Sequence, residues 1–158
     1  MTADTVIMTV PFTVLRDVDV RLDLPPVKRR VIDTLGYGAN AKVFLATRNR
    51  PWRAQGYAGF VLTDEPFQLC WDNAQQQPGA GGGITLFSGG TPAKTAGEGT
   101  AAEFVARMLP SLDNVFPGTA SAFTGVTSRF HWPTYPFAKG SYACYCPGQW
   151  TSIAGAEG

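Results

Sequence analysis

The sequence predicts an α+β domain: a mixed, mostly antiparallel sheet of about six to seven strands with two main helices. Three observations lead there. Short β-branched and aromatic runs recur along the chain, as at residues 42–47 and 84–88. Turn signals separate them, above all Asp64-Glu65-Pro66 and the glycine-rich residues 74–83. Only two segments, one after Pro25-Pro26 and one over residues 98–109, carry apolar residues at sustained helical spacing.

The elements follow in order. Residues 5–10 are apolar and end at Pro11, which reads as a short buried strand. Over residues 14–22, Val14, Val18, Val20 and Leu22 fall in step among charged residues, which predicts a second strand. Pro25-Pro26 opens a helix, since proline in the first turn lacks only an N–H that has no partner there. Val27, Val31, Ile32 and Leu35 keep its helical spacing, and Gly36 reads as its C-cap. Residues 42–47 form a strand, and 49–56, with Pro51 and Trp52, a loop. Residues 59–63 and 68–72 read as antiparallel neighbours, 74–83 as a mobile hairpin connection, and 84–88 as the next strand. A loop over 89–97 leads to the helix over 98–109, with Phe104, Val105, Met108 and Leu109 as its stripe and Pro110 as its stop. Residues 122–132 alternate as a last strand, and the rest is loop.

Composition bounds the function. The chain has 158 residues, 44% apolar and 16% charged, against about a quarter charged in ordinary soluble domains. Low charge suits a piece whose surface something else covers. A net charge of +1 points to neither nucleic acid nor an acidic membrane. Lys28-Arg29-Arg30 is read as a solvated helix face. The N-terminal apolar stretch follows Asp4 and contains Pro11, unlike a signal peptide. No run reaches the ~20 residues of a membrane span, so a cytoplasmic protein is expected. Cys70, Cys144 and Cys146 are too few and odd in number for a disulfide framework. A C-x-C with one histidine, His131, is too little for zinc, and no metal is expected.

The glycine runs do not bind phosphate by their order. Residues 79–83 precede a strand rather than a helix, and Gly36-Tyr37-Gly38 follows a helix and precedes a strand; a dinucleotide site needs strand, glycines, then helix. His131 has no identifiable nucleophile partner and reads as structural. Cys70, between Leu69 and Trp71, reads as a small buried hydrophobe. Lys42 enters an apolar strand. It is either an edge charge or, if it points inward, a group able to handle a proton in an apolar site.

Leu35-Gly36-Tyr37-Gly38-Ala39-Asn40-Ala41-Lys42-Val43 resembles the L-G-F-G-x-x-x-K-V pattern of the flavin-containing amine oxidases. Trp132 followed by Gly140-Ser141-Tyr142 is similar to their W-x(n)-G-S-Y pattern, and residues 3–7 with Pro11 resemble the strand that leaves their FAD domain. The resemblance implies a catalytic Lys42 holding a water beside flavin N5. It implies Tyr142 and Trp132 as substrate-binding aromatics, and Lys42, Pro11, Gly140, Ser141, Tyr142 and Trp150 as cofactor-binding residues. Ser141 stands where animal monoamine oxidases carry the cysteine that attaches FAD, so the implied FAD is non-covalent. The implied reaction takes a hydride equivalent from a primary or secondary amine, gives an imine, and reduces O2 to H2O2.

The resemblance also divides the chain: residues 1–15 as the end of the FAD-binding domain, 16–132 as the substrate-binding domain, and 133–158 as a flavin-facing loop. The G-x-G-x-x-G motif and the closing segment of the family are not in the sequence. The chain therefore reads as a piece that needs an FAD-binding domain or partner half, inactive in isolation. The alternatives are a non-catalytic amine- or peptide-binding module and an inactive truncated fragment.

Overall fold

The structure is a computed structural model that describes residues 3–158. The described residues form two compact units, residues 39–132 and residues 3–38 with 133–158.

The first unit is a five-stranded sheet in the order β2-β3-β4-β1-β5: β1 is Asn40–Thr47, β2 Val61–Leu62, β3 Leu69–Asp72, β4 Gly82–Gly89 and β5 Phe123–His131. Every pairing between these strands is antiparallel. Side chains alternate across a strand, so Ala41, Val43 and Leu45 of β1 share one face with Cys70, Ile84 and Leu86 of its neighbours. That face carries the core, against Ala93 and Ala96 of helix α4 (Gly90–Ala96) and Phe104, Val105 and Leu112 of helix α5 (Ala101–Val115). Lys42, Phe44 and Ala46 therefore lie on the face opposite these helices. Short helices α3 (Pro51–Ala54) and α6 (Thr119–Ala122) close the unit. Gly125 takes φ +86° within β5, where the register against β1 shifts between Leu45 and Thr47; glycine is the residue that accepts that geometry in a bulge.

The second unit holds α1 (Phe12–Leu15), α2 (Pro26–Thr34) and α7 (Gln149–Ile153). Val31, Leu35 and Ile153 form its buried centre, with Phe12, Tyr37 and Tyr145 packed on it. Arg16 caps the end of α2: its Nε donates to the Ile32 carbonyl and its Nη2 to the Leu35 carbonyl, both at 2.7 Å. Those carbonyls have no partner inside the helix.

Several expectations are corrected. The described chain has five named strands, fewer than expected, and seven α-helices. Residues 5–10 are irregular rather than a strand, and exposed Val6 and Ile7 pair with nothing regular. Residues 14–22 are the end of α1 followed by irregular chain. Their alternation has no neighbouring strand to satisfy, and Val18 and Leu22 are exposed. Leu35, not Gly36, is the C-cap of α2. The loops expected at 49–56 and 89–97 contain α3 and α4, and α5 runs through Pro110 to Val115. Proline costs α5 one backbone bond, but Leu112 beyond it is fully buried in the core and holds the helix on course.

Candidate functional site

Lys42 sits in β1 between two cross-strand phenylalanines, Phe87 of β4 and Phe130 of β5. Its ammonium lies 5.6 Å from the ring centre of Trp71 and 5.6 Å from that of Trp132. Both distances fall within the range of cation–π attraction, about 6 Å. Trp71 and Phe87 meet at 6.0 Å, and Phe130 and Trp132 edge-to-face at 4.2 Å. Among the described residues no carboxylate lies within ion-pair distance of the ammonium. Lys42 is half-buried. Its charge is thus held by ring faces, which attract a cation without neutralising it.

Farther along the same face, a hollow of about 330 Å³ opens over Phe44, Ala46, Asn73, Gln77, Val126 and Ser128, none of them charged. Asp72, the last residue of β3, is only 2% exposed. Its Oδ2 accepts from Trp52 Nε1 at 3.0 Å and Arg53 Nε at 3.1 Å, and its Oδ1 accepts from the Ala74 N–H at 2.7 Å. It ties β3 to α3 and is not available to a ligand.

The other expected residues lie in the second unit, where the two glycine motifs meet. Gly38 N–H donates to the Tyr142 carbonyl at 2.9 Å, and Ser141 N–H donates back to the Gly38 carbonyl at 2.8 Å. Cys144 N–H donates to the Gly36 carbonyl at 2.9 Å, and Tyr37 bridges Ala143. Gly140 is needed for close approach: a Cβ there would fall 2.9 Å from the Tyr37 Cβ. Pro11 joins this neighbourhood through the next residue, whose N–H donates to the Tyr37 hydroxyl at 3.0 Å. Tyr142 is 75% exposed and Trp150 69% exposed, the latter edge-on to Tyr145 at 5.0 Å.

His131 packs on Gly97, where a Cβ would fall 2.5 Å from the ring, and its side chain bonds the Ala93 backbone. Partial burial, then the charge of Arg129, hold its pKa below the ordinary histidine value. These are the surroundings of a packed histidine. Among the described residues no group of three or more metal-ligating side chains occurs, and no helix is long and apolar enough to cross a membrane.

The residue that sequence reading missed is Trp71. Its one legible signal was its place between Cys70 and Asp72 in a short strand; its nearness to Lys42 depends on the order of β3, β4 and β1.

The family model for flavin containing amine oxidoreductases matches residues 1–155. YobN of Bacillus subtilis (strain 168), provisionally named an L-amino-acid oxidase, is 30% identical over 94% of this chain and 32% of its own. Among solved structures, cyclohexylamine oxidase from Brevibacterium oxydans IH-35A superposes with a TM-score of 0.73 at 21% identity, over 84% of this chain and 30% of that one. Putrescine oxidase bound to putrescine gives 0.76 at 22%, over 89% and 31%. These last two similarities are of fold. The chain spans about a third of the length of the relatives it matches.

Proposed function

The chain belongs to the flavin-containing amine oxidoreductase family, and from that premise we propose that it is the substrate-binding part of an FAD-dependent amine oxidase. On this reading residues 1–15 end the FAD-binding domain, 16–132 bind substrate, and 133–158 return toward the flavin. The observation that carries the reading is the Lys42 ammonium, held between two indoles with no carboxylate within ion-pair distance among the described residues. An ammonium in that state keeps N–H donors for a water or an electron-rich ring.

The residues present suit a flavin. The uncovered aromatic rings of Tyr142 and Trp150 have the apolar area a planar cofactor and an amine would cover. Gly140 leaves no side chain against Tyr37, which lets the segment that carries Tyr142 pack closely on residues 36–38. Ser141 has no thiol to attach the cofactor, so it would be held non-covalently. Pro11, Gly140, Ser141, Tyr142 and Trp150 are the residues that would contact it. When bound, FAD accepts the hydride equivalent from the amine α-carbon and passes its electrons to O2, with H2O2 released. Lys42 holds the water that this site needs. By the resemblance of their motifs, Tyr142 and Trp132 are the aromatic residues that would meet the amine. The hollow farther along the face of Lys42, over Phe44 and Ala46, is lined by uncharged residues and offers no carboxylate to a second ammonium. This supports an amine with an uncharged body, of the cyclohexylamine kind, over a diamine such as putrescine.

The test begins with the purified chain, incubated with FAD and desalted. The reading expects little retained yellow colour from the chain by itself. Colour and amine turnover should appear when the FAD-binding domain of a relative is supplied. In that complemented protein Lys42→Met should slow flavin reduction or reoxidation at least tenfold, about 1.4 kcal/mol or more of barrier. Normal turnover by Lys42→Met would sink the role of the lysine.

A further inference from the structure

We propose that Trp71 is a positioning residue for Lys42: with Trp132 it forms an indole clamp that holds the lysine ammonium in place. This goes beyond the assignment of Lys42 itself and rests on that reading only for its catalytic consequence.

The clamp is built by the sheet. Lys42 of β1 pairs with Phe87 of β4, Phe87 pairs with Leu69 of β3, and Trp71 is two residues further along β3. Residues two apart in a strand share a face, so Trp71 stands on the face of Lys42, reaching it diagonally across β4. From the other side, Lys42 pairs with Phe130 of β5, and Trp132 follows two residues on. The two indoles thus approach one ammonium from opposite neighbours, each at 5.6 Å. Each is backed by the phenylalanine that pairs with Lys42, Trp71 by Phe87 and Trp132 by Phe130.

This arrangement solves a particular problem. A lysine has a long, flexible stem and loses rotamer freedom when its tip is fixed. A carboxylate could fix it, but would take up its donors and cancel its charge. Two ring faces attract the charge while leaving the N–H groups to other partners. One indole leaves the stem free to swing away from it; two, on opposite sides, oppose the swing. Trp71 is therefore specified by ring type and by position, beyond its value as apolar surface.

Lysine-selective isotope labelling and NMR of the 158-residue chain test the clamp without any cofactor. Ring currents should move the terminal methylene protons of Lys42 upfield of every other lysine. Trp71→Leu should remove about half of that displacement and raise the acylation rate of the Lys42 amine severalfold, whereas Trp71→Phe should retain part of both effects. Trp132→Leu should act similarly from the other side. The proposal is overturned if Trp71→Leu leaves both signals unchanged, or if Trp71→Phe matches Trp71→Leu in both. A packing role alone would lower the unfolding midpoint without moving the Lys42 signals. The outcome is separable from the oxidase reading: normal turnover by Lys42→Met removes the catalytic role and leaves the clamp, whereas unmoved Lys42 signals in Trp71→Leu remove the clamp and leave the role.

Discussion

Gly36 and Gly38 flank one tyrosine and look interchangeable in the sequence, yet their surroundings differ. A Cβ on Gly36 would meet the Cys144 carbonyl oxygen at 2.5 Å and the Cys146 sulfur at 2.6 Å, whereas one on Gly38 would have the Tyr142 carbonyl oxygen as its nearest neighbour at 3.7 Å. The first contact is with backbone, which cannot rotate away. Gly36→Ala should therefore cost about 1–3 kcal/mol as overpacking, and Gly38→Ala well under about 1 kcal/mol. Amide exchange at Cys144, whose N–H donates to the Gly36 carbonyl, reads the difference locally; equal exchange in the two variants would refute it. Asp72 makes a second case. Its carboxylate receives three donors, one from the buried Trp52 indole. Asp72→Ala strands that N–H and should lower stability by about 3 kcal/mol, whereas Asp72→Asn keeps acceptor capacity and should cost less. Urea unfolding followed by tryptophan fluorescence measures both, and an Ala variant as stable as wild type would remove the argument.

Helix α5 begins with a complete capping box. Thr100 Oγ1 accepts from the Glu103 N–H at 3.1 Å, and Glu103 Oε2 accepts from the Thr100 N–H at 2.7 Å. The bond from the Thr100 backbone, then that from its hydroxyl, hold the Glu103 carboxyl below its ordinary value. A carboxyl depressed in the folded state stabilises above its ordinary titration range. That contribution is lost as pH falls through the folded value. Thr100→Ala should cost about 1 kcal/mol of stability and Thr100→Ser much less, and the Ala variant should show a smaller loss on acidification. Urea midpoints at neutral and acid pH check this; an unchanged acid response would contradict it. The strands β1, β3 and β4 and the presence of α5 were legible because each is specified locally, by spacing and turn residues; the start of α5 was read at 98, three residues early, because the helix begins only after the Thr100 cap. The end of α5 was not, because Leu112 pulls the helix past Pro110 through a tertiary contact. Nor were α3 and α4, whose prolines Pro51 and Pro92 lie in the first turn or just after it, where proline is tolerated. Residues 14–22 misled because alternation predicts a strand only where another strand is present to pair with it. The motifs around Lys42 and Tyr142 could be read from fixed residue types at fixed spacing. Trp71 could not, since it reaches Lys42 only through the order of three strands.

The stability of the sheet unit as a whole should have opposite limits set by Cys70 and His131. Burial, partly offset by a hydrogen bond from the Val61 backbone, pushes the Cys70 thiol up to about 12. The folded state then keeps a proton that the unfolded chain releases. Its contribution is complete below the ordinary thiol value of 9.0 and is lost as pH rises from there toward about 12. The full difference corresponds to about 4 kcal/mol, enough to unfold a marginal domain. His131 works the other way. Its folded value is depressed, so its contribution is present above the ordinary histidine range and is lost as pH falls through the folded value. Stability should therefore be flat at neutral to mildly alkaline pH and decline on both sides. Cys70→Ala separates the thiol from every other alkaline titration. A cavity in the core lowers the whole curve, but removal of the thiol should flatten its slope above pH 9. Urea midpoints under reducing conditions, from neutral pH to about pH 11, give that slope directly. A variant that declines as steeply as wild type would mean that another group, not the buried thiol, sets the alkaline limit.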